Sequence, residues 1–121
     1  MGLSTHVLDT MNGCPAAGMA VALYTTQRDG DTLTCTLVRR FNLNSDGRNP
    51  DGPLYDNTSL KVGTYRLEFD VRSYFDAKGV TLPEPRFLDR VVLDFGVANT
   101  DQHYHVPLLV SPWSYSTYRG S

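Results

Sequence analysis

The sequence has few of the features that identify metalloproteins, membrane proteins or nucleic-acid-binding proteins. Its 121 residues contain only two cysteines, Cys14 and Cys35, without the Cys-x-x-Cys spacing of a metal or redox site. No apolar run approaches the roughly 20 residues that a transmembrane helix needs. With 11 Lys+Arg against 13 Asp+Glu, the net charge of −2 offers no basic face to a nucleic acid. We therefore expect no membrane span and no nucleic-acid partner, while a Cys14–Cys35 disulfide stays an open alternative.

Common catalytic and targeting motifs are missing as well. The sequence has no GxSxG elbow, P-loop, GxGxxG or HExxH motif, and its serines, Ser4 among them, lack the context of a triad nucleophile. Residues 1–6 have neither the charged nor the apolar region of a signal peptide, and the chain does not end in Ser-Lys-Leu. These observations predict a cytoplasmic location, and they leave open a leader that has been removed.

Short segments with strand-like composition dominate the chain. Residues 63–71 show the clearest period of two, with Tyr65, Leu67 and Phe69 on one face and charged residues on the other. Turn signals separate seven or eight such segments, which predicts an all-β, two-sheet Greek-key sandwich formed by residues 1–121 as a single domain. The predicted strands are Leu3–Thr10, Met19–Arg28, Thr32–Phe41, Gly63–Val71, Phe87–Ala98, Tyr104–Val110 and Tyr115–Tyr118.

Two segments depart from the strand pattern. Ser73–Gly79 has a serine that can cap a helix and a closing glycine, which predicts one short helix. Residues 42–59 are rich in Asn, Asp, Gly and Pro and predict a long irregular loop. Loops of this length in a compact domain are usually functional or mobile.

The three histidines are the first candidates for acid–base chemistry, because the histidine pKa lies nearest neutrality. His103 and His105 are two residues apart on a predicted strand, so both point to the same face. Such a pair binds zinc when a third ligand is available, and His6 could supply it. The alternative is that all three are surface or hydrogen-bonded core histidines without a metal.

Arg48 and the tyrosine-rich C-terminal segment are further candidates. Arg48 stands in the middle of the long loop, where it is either a solvated charge or a forked donor that binds a planar oxyanion. Tyr115 and Tyr118 lie within the last seven residues. This composition suggests that the C-terminal segment packs onto the fold.

Several segments together resemble the transthyretin-like family. Leu3-Ser-Thr-His-Val-Leu-Asp9 and Gly13-Cys-Pro-Ala16 are similar to its N-terminal signature. The segments His103-Tyr-His-Val-Pro-Leu-Leu-Val-Ser-Pro112 and Tyr115-Ser-Thr-Tyr-Arg-Gly-Ser121 resemble the C-terminal signature of its enzymatic branch, the 5-hydroxyisourate hydrolases. The Tyr-Arg-Gly-Ser ending distinguishes that branch from the hormone carriers.

The resemblance implies a transthyretin-like sandwich with a short helix after the fifth strand, assembled as a homotetramer that is a dimer of dimers. It implies hydrolysis of 5-hydroxyisourate at the N1–C6 bond to 2-oxo-4-hydroxy-4-carboxy-5-ureidoimidazoline, a step in the conversion of urate to allantoin. Neither a cofactor nor a metal is implied. The alternatives are a non-catalytic carrier of a small molecule and a structural β-sandwich whose motifs are vestigial.

The family motifs also imply roles for individual residues. By resemblance, the catalytic residues are His6, Arg48 and His105, and His103 supports them. The substrate-binding residues implied are His6, Arg48, Tyr118 and Ser121. Which histidine acts as general base stays open at this point.

Overall fold

The computed structural model describes residues 2–120 and consists of eight strands and one helix within that range. Ser121, expected to bind substrate, lies outside the described residues. The elements in chain order are β1 (Leu3–Asp9), β2 (Cys14–Pro15), β3 (Ala20–Asp29), β4 (Thr32–Asn42), β5 (Gly63–Asp70), α1 (Val71–Ala77), β6 (Arg90–Val97), β7 (Tyr104–Val110) and β8 (Tyr115–Thr117).

The strands form two four-stranded sheets. The first has the order β2-β1-β7-β8 and the second the order β4-β3-β5-β6. All adjacent strands are antiparallel except β1 and β7, which pair in parallel along the full length of β1. The predicted all-β sandwich with one short helix is confirmed.

The core lies between the sheets and follows from the alternation of side chains along the strands. In β1 every second residue is buried and the residues between them are half-buried, and in β5 the same alternation buries Tyr65, Leu67 and Phe69. The core contains mostly Leu, Val, Phe and Tyr side chains, including Leu3, Val7, Leu23, Leu67, Phe69, Val91 and Leu108. Because β1 buries one face in this core, its other face, with Ser4, His6 and Leu8, points outward and is half-buried.

The prediction for the helix was wrong in its position and its cap. The helix begins at Val71, two residues before Ser73, because the side chain of Asp70 accepts a hydrogen bond from the backbone N–H of Ser73 and caps the first turn. Val71 was expected to end the preceding strand, but it is buried as the first residue of the helix.

The strand predicted over Phe87–Ala98 begins only at Arg90. Phe87 is 77% exposed and lies outside the strand, so the alternating pattern does not extend to the start of that segment. Cys14 lies in β2, opposite Asp9. Both cysteines are free, so the alternative of a Cys14–Cys35 disulfide is not realised.

Between β4 and β5 the chain runs without a strand or helix over residues 43–62, as the composition of 42–59 predicts. The segment is nevertheless tied to β1 by two isolated antiparallel bridges, Tyr55 to Leu3 and Arg48 to His6. Across residues 2–120, no helix is long and apolar enough to cross a membrane.

Candidate active site

The parallel pairing of β1 with β7 brings histidines from both ends of the chain together. The register places Ser4 opposite His105 and His6 opposite Pro107. Ser4 and His6 are half-buried on the face of β1 that points away from the core. The ring centroids of His6 and His105 are 6.5 Å apart. Two of the three residues expected to be catalytic are therefore neighbours on the outer face of the first sheet.

The long loop carries the third residue, Arg48, to the same place. Arg48 forms an isolated bridge with His6, and the neighbouring Gly47 accepts a hydrogen bond from the backbone N–H of Val7 at 2.9 Å. The Asn44 side chain closes the turn by accepting from the backbone N–H of Arg48 at 3.1 Å. The Arg48 side chain is exposed, so its guanidinium is available to a ligand.

Gly47 explains how the loop approaches β1 so closely. Its φ of +74° lies in the left-handed region that favours glycine, and a Cβ at this position would lie 2.5 Å from the carbonyl oxygen of Val7. No other residue type fits both conditions. The conformation of Gly47 therefore helps to place Arg48 beside His6.

Ser4 contacts both histidines of the His-x-His pair. Its Oγ lies 2.8 Å from Nδ1 of His105 and 3.1 Å from Nε2 of His103. The predicted common orientation of His103 and His105 is confirmed by this shared partner, and Tyr104 between them is buried on the opposite face. Among residues 2–120, no three His, Cys, Asp or Glu side chains are grouped so that they could hold a metal ion.

The C-terminal segment continues from β8 along β7 and reaches His105. The backbone N–H of Gly120 donates to the carbonyl oxygen of His105 at 2.7 Å, and the N–H of His105 donates back to Gly120 at 3.1 Å. A Cβ on Gly120 would lie 3.1 Å from Cβ of His105, so the glycine allows the close approach. Tyr118, two residues earlier, is 60% exposed.

The surroundings of His105 favour its neutral form. Partial burial lowers the pKa of His105 from its ordinary value of 6.5, and the positive charge of Arg48 lowers it further, as do His6 and His103. His105 is therefore uncharged at neutral pH and can accept a proton.

This arrangement can promote attack by water on a polarised carbonyl group. A neutral imidazole accepts the proton of water, and a guanidinium nearby stabilises the negative charge that develops on the carbonyl oxygen. The sequence reasoning placed His6, Arg48, His105 and His103 in the site but missed the contact of Ser4. The sequence did contain a sign of this contact: Ser4 lies two residues before His6 on the same strand, and residues two apart on a strand share a face.

Known proteins are similar to this chain in both sequence and fold. The model of the HIUase/Transthyretin family matches residues 3–120. A "5-hydroxyisourate hydrolase" from Deinococcus radiodurans is 55% identical over 121 residues, covering 99% of this chain and 96% of the relative. The sequence similarity thus extends over nearly the whole chain.

Two solved structures extend the comparison. A crystal structure of "(S)-allantoin synthase" superimposes with a TM-score of 0.89 at 47% identity, covering 99% of this chain and 43% of that longer chain. The structure of Klebsiella pneumoniae "5-hydroxyisourate hydrolase" superimposes with a TM-score of 0.75 at 30% identity, and the match covers 100% of this chain and 100% of that chain. The structural similarity thus extends over the whole fold and is not confined to the candidate site.

Proposed function

The chain belongs to the HIUase/Transthyretin family, and from this membership we infer that it hydrolyses 5-hydroxyisourate. The observation that carries the inference is the convergence of His6, Arg48 and His105 on one face, in a chain that is 55% identical to a 5-hydroxyisourate hydrolase. Hydrolysis of this substrate is a step in the breakdown of urate.

The reaction begins with water attacking the C6 carbonyl carbon of 5-hydroxyisourate. One histidine of the pair takes a proton from the water as its oxygen bonds to C6, which contributes about 10²- to 10⁴-fold to the rate. The N1–C6 bond then breaks, and the proton passes to N1. The product is 2-oxo-4-hydroxy-4-carboxy-5-ureidoimidazoline, with every atom of substrate and water retained.

Arg48 supplies the positive charge that the reaction needs. The attack converts the C6 carbonyl into a tetrahedral oxyanion, and a guanidinium that faces this oxygen stabilises it. The forked donors of Arg48 also match the flat carbonyl edge of the substrate. The position of Arg48 beside His6 supports both roles.

The remaining sequence-derived roles concern binding and support. We assign Tyr118 to substrate binding because its hydroxyl belongs to an exposed side chain on the segment that reaches His105. Ser121 lies outside the described residues, and its assignment to substrate binding rests on the family motif alone. His103 supports His105 through the hydroxyl of Ser4. No cofactor or metal takes part in the proposed reaction.

We further propose that the protein is a homotetramer, a dimer of dimers. Strands β6 and β8 are sheet edges, and exposed edges are usually covered in native proteins. The exposed apolar side chains in this region support the proposal; they are Val92, Trp113, Tyr115 and Tyr118. A second copy over the outer face of the first sheet would also shield the site from bulk solvent while leaving room for the attacking water. The cytoplasmic location stays a prediction.

The decisive experiment follows the absorbance of 5-hydroxyisourate generated from urate by urate oxidase. Adding the protein is expected to accelerate the loss of this absorbance. A His105→Ala preparation, purified identically, controls for contaminating activity, and Arg39→Ala controls for loss of an exposed arginine elsewhere. If the wild-type protein does not accelerate the loss, the inference is wrong, and a carrier or a structural protein becomes the better description.

A further inference from the structure

The hydroxyl of Ser4 links two imidazole rings. It lies between Nδ1 of His105 and Nε2 of His103, within hydrogen-bond distance of both. Ser4 is held opposite His105 by the parallel pairing of β1 with β7, so the contact is built into the sheet. All three side chains are half-buried, which limits competition from solvent.

The number of protons available restricts the states of the two rings. A hydroxyl has one proton to donate and lone pairs with which to accept, and each neutral imidazole carries a proton on only one nitrogen. If Ser4 donates to one ring, the other ring must donate to Ser4. The tautomers of His103 and His105 are therefore coupled through this hydroxyl.

The charge of Arg48 selects between the two arrangements. Arg48 is bridged to His6, whose ring lies 6.5 Å from that of His105, and after burial its positive charge is the next cause that lowers the pKa of His105. Ser4 contacts Nδ1 of His105, so Nε2 of that ring is the nitrogen without a contact to Ser4. A positive charge nearby attracts a lone pair and repels an N–H, so it favours the tautomer in which Nε2 carries no proton. The proton of His105 then lies on Nδ1 and is donated to Ser4, whose own proton is donated to Nε2 of His103.

We propose that Ser4 is a positioning residue that keeps the proton of His105 on Nδ1, so that the Nε2 lone pair serves as the general base. Its catalytic consequence rests on the proposed hydrolysis, but the arrangement of protons in the free protein does not. The proposal assigns the base, which the sequence motifs leave undecided between His6 and His105.

The same contacts provide a path for charge after the proton has been taken. When Nε2 of His105 accepts a proton from water, Nδ1–H can pass its proton to Ser4 Oγ while Ser4 passes its own to Nε2 of His103. Ser4 is unchanged by this exchange, His105 returns to neutrality with its proton on Nε2, and His103 carries the positive charge. When N1 departs it takes the proton from Nε2 of His105, while His103 returns a proton to Ser4 Oγ and Ser4 returns one to Nδ1 of His105, so that both rings end neutral.

The first test is the tautomeric state of the histidines, read from the ¹⁵N chemical shifts of the rings in the free protein at pH 7.5. We expect His105 to carry its proton on Nδ1 in the wild type and to populate both tautomers in Ser4→Ala. Ser4→Thr keeps the hydroxyl and should restore the wild-type state. A wild-type His105 with its proton on Nε2, or one unaffected by Ser4→Ala, would overturn the proposal.

A second variant keeps the test independent of how well Ser4→Ala folds. His103→Ala removes the acceptor of the Ser4 proton, which frees the hydroxyl to donate to Nδ1 of His105. The His105 population should therefore shift toward the Nε2–H tautomer. An unchanged His105 spectrum in this variant would contradict the coupling.

Kinetics then connect the tautomer to the reaction. We expect Ser4→Ala to lower kcat on the order of tenfold with little change in KM, because a His105 ring without its orienting partner loses part of the roughly 10²- to 10⁴-fold that a general base contributes. Ser4→Thr should recover most of kcat, and Thr34→Ala, which removes an exposed hydroxyl from β4, should change nothing. Unchanged kcat in Ser4→Ala refutes the positioning role while hydrolysis stands. The expected spectra without any hydrolysis refute the proposed function alone.

Discussion

The rings of His6 and His105 lie 6.5 Å apart between centroids, although one belongs to the first strand and the other to the seventh. The pairing of β1 with β7 fixes this distance, and the bridge from Arg48 to His6 adds a cation from a third part of the chain. The arrangement depends on all three segments, so it can be tested by changing each of them.

Single substitutions at the three positions should each impair hydrolysis. His6→Ala, His105→Ala and Arg48→Ala are expected to lower kcat/KM by at least about 10²-fold, the scale of losing a general base or an oxyanion partner. Circular dichroism should show an intact fold, because the three side chains point away from the core. Steady-state kinetics with 5-hydroxyisourate measures the effect.

Matched variants identify what Arg48 contributes. Arg48→Lys should recover little activity, because a point charge cannot reproduce the forked donors. Double substitutions should cost less than the sum of the single effects, since residues of one catalytic unit are not additive. Arg39→Ala, at an exposed position on β4, should be close to neutral. Equal effects of Arg48→Ala and Arg39→Ala would remove Arg48 from the site.

The pH dependence should reflect the lowered pKa of His105. A general base works in its neutral form, so kcat/KM should hold near its plateau at neutral pH and decline only below the ordinary histidine value of 6.5. Arg48→Gln removes a positive charge and should raise the pKa of His105, although burial will keep it from returning fully to the ordinary value. An NMR titration of the His105 ring measures this directly, with Arg39→Gln as the control. A lower or unchanged pKa in Arg48→Gln would contradict the assigned electrostatics.

Gly47→Ala should damage both stability and activity. The added methyl group would lie 2.5 Å from the carbonyl oxygen of Val7, in a left-handed conformation, so the loop must move and take Arg48 with it. Gly52→Ala is the control, because Gly52 also has positive φ but open space around it, and the strain alone costs about 1–2 kcal/mol. Urea denaturation and kcat/KM should show the larger loss for Gly47→Ala. Equal losses would mean that the close approach is unimportant.

Chelators should leave the rate unchanged. The proposed mechanism draws its positive charge from Arg48 and needs no Lewis acid. The measurement is kcat/KM after prolonged EDTA treatment and desalting. A rate that is lost on chelation and recovered with zinc would restore the alternative in which His6, His103 and His105 bind a metal.

Light scattering at micromolar concentration should give a mass about four times the 13.5 kDa of one chain. Two-fold symmetric interfaces would cover the exposed edges β6 and β8. A monomer that keeps full activity at the same concentration would contradict both the tetramer and a site completed by a second copy.

Local patterns predicted most of the secondary structure. The alternation in 63–71 indicated a half-buried strand, and Asn, Asp, Gly and Pro indicated the long loop, because both signals arise from neighbouring residues. The helix was misplaced for the same reason. Ser73 looks like a cap in isolation, whereas the burial of Val71 and the side chain of Asp70 begin the helix earlier.

The sequence by itself determined the β-sandwich, the long loop between β4 and β5 and, through the family motifs, the identities of the candidate site residues. Only the tertiary structure decided that β1 pairs in parallel with β7, which places Ser4 opposite His105 and between two rings. Strand pairing between distant segments depends on contacts throughout the sheet, and no local spacing encodes it. The link from Ser4 to both histidines therefore became visible only in the folded chain.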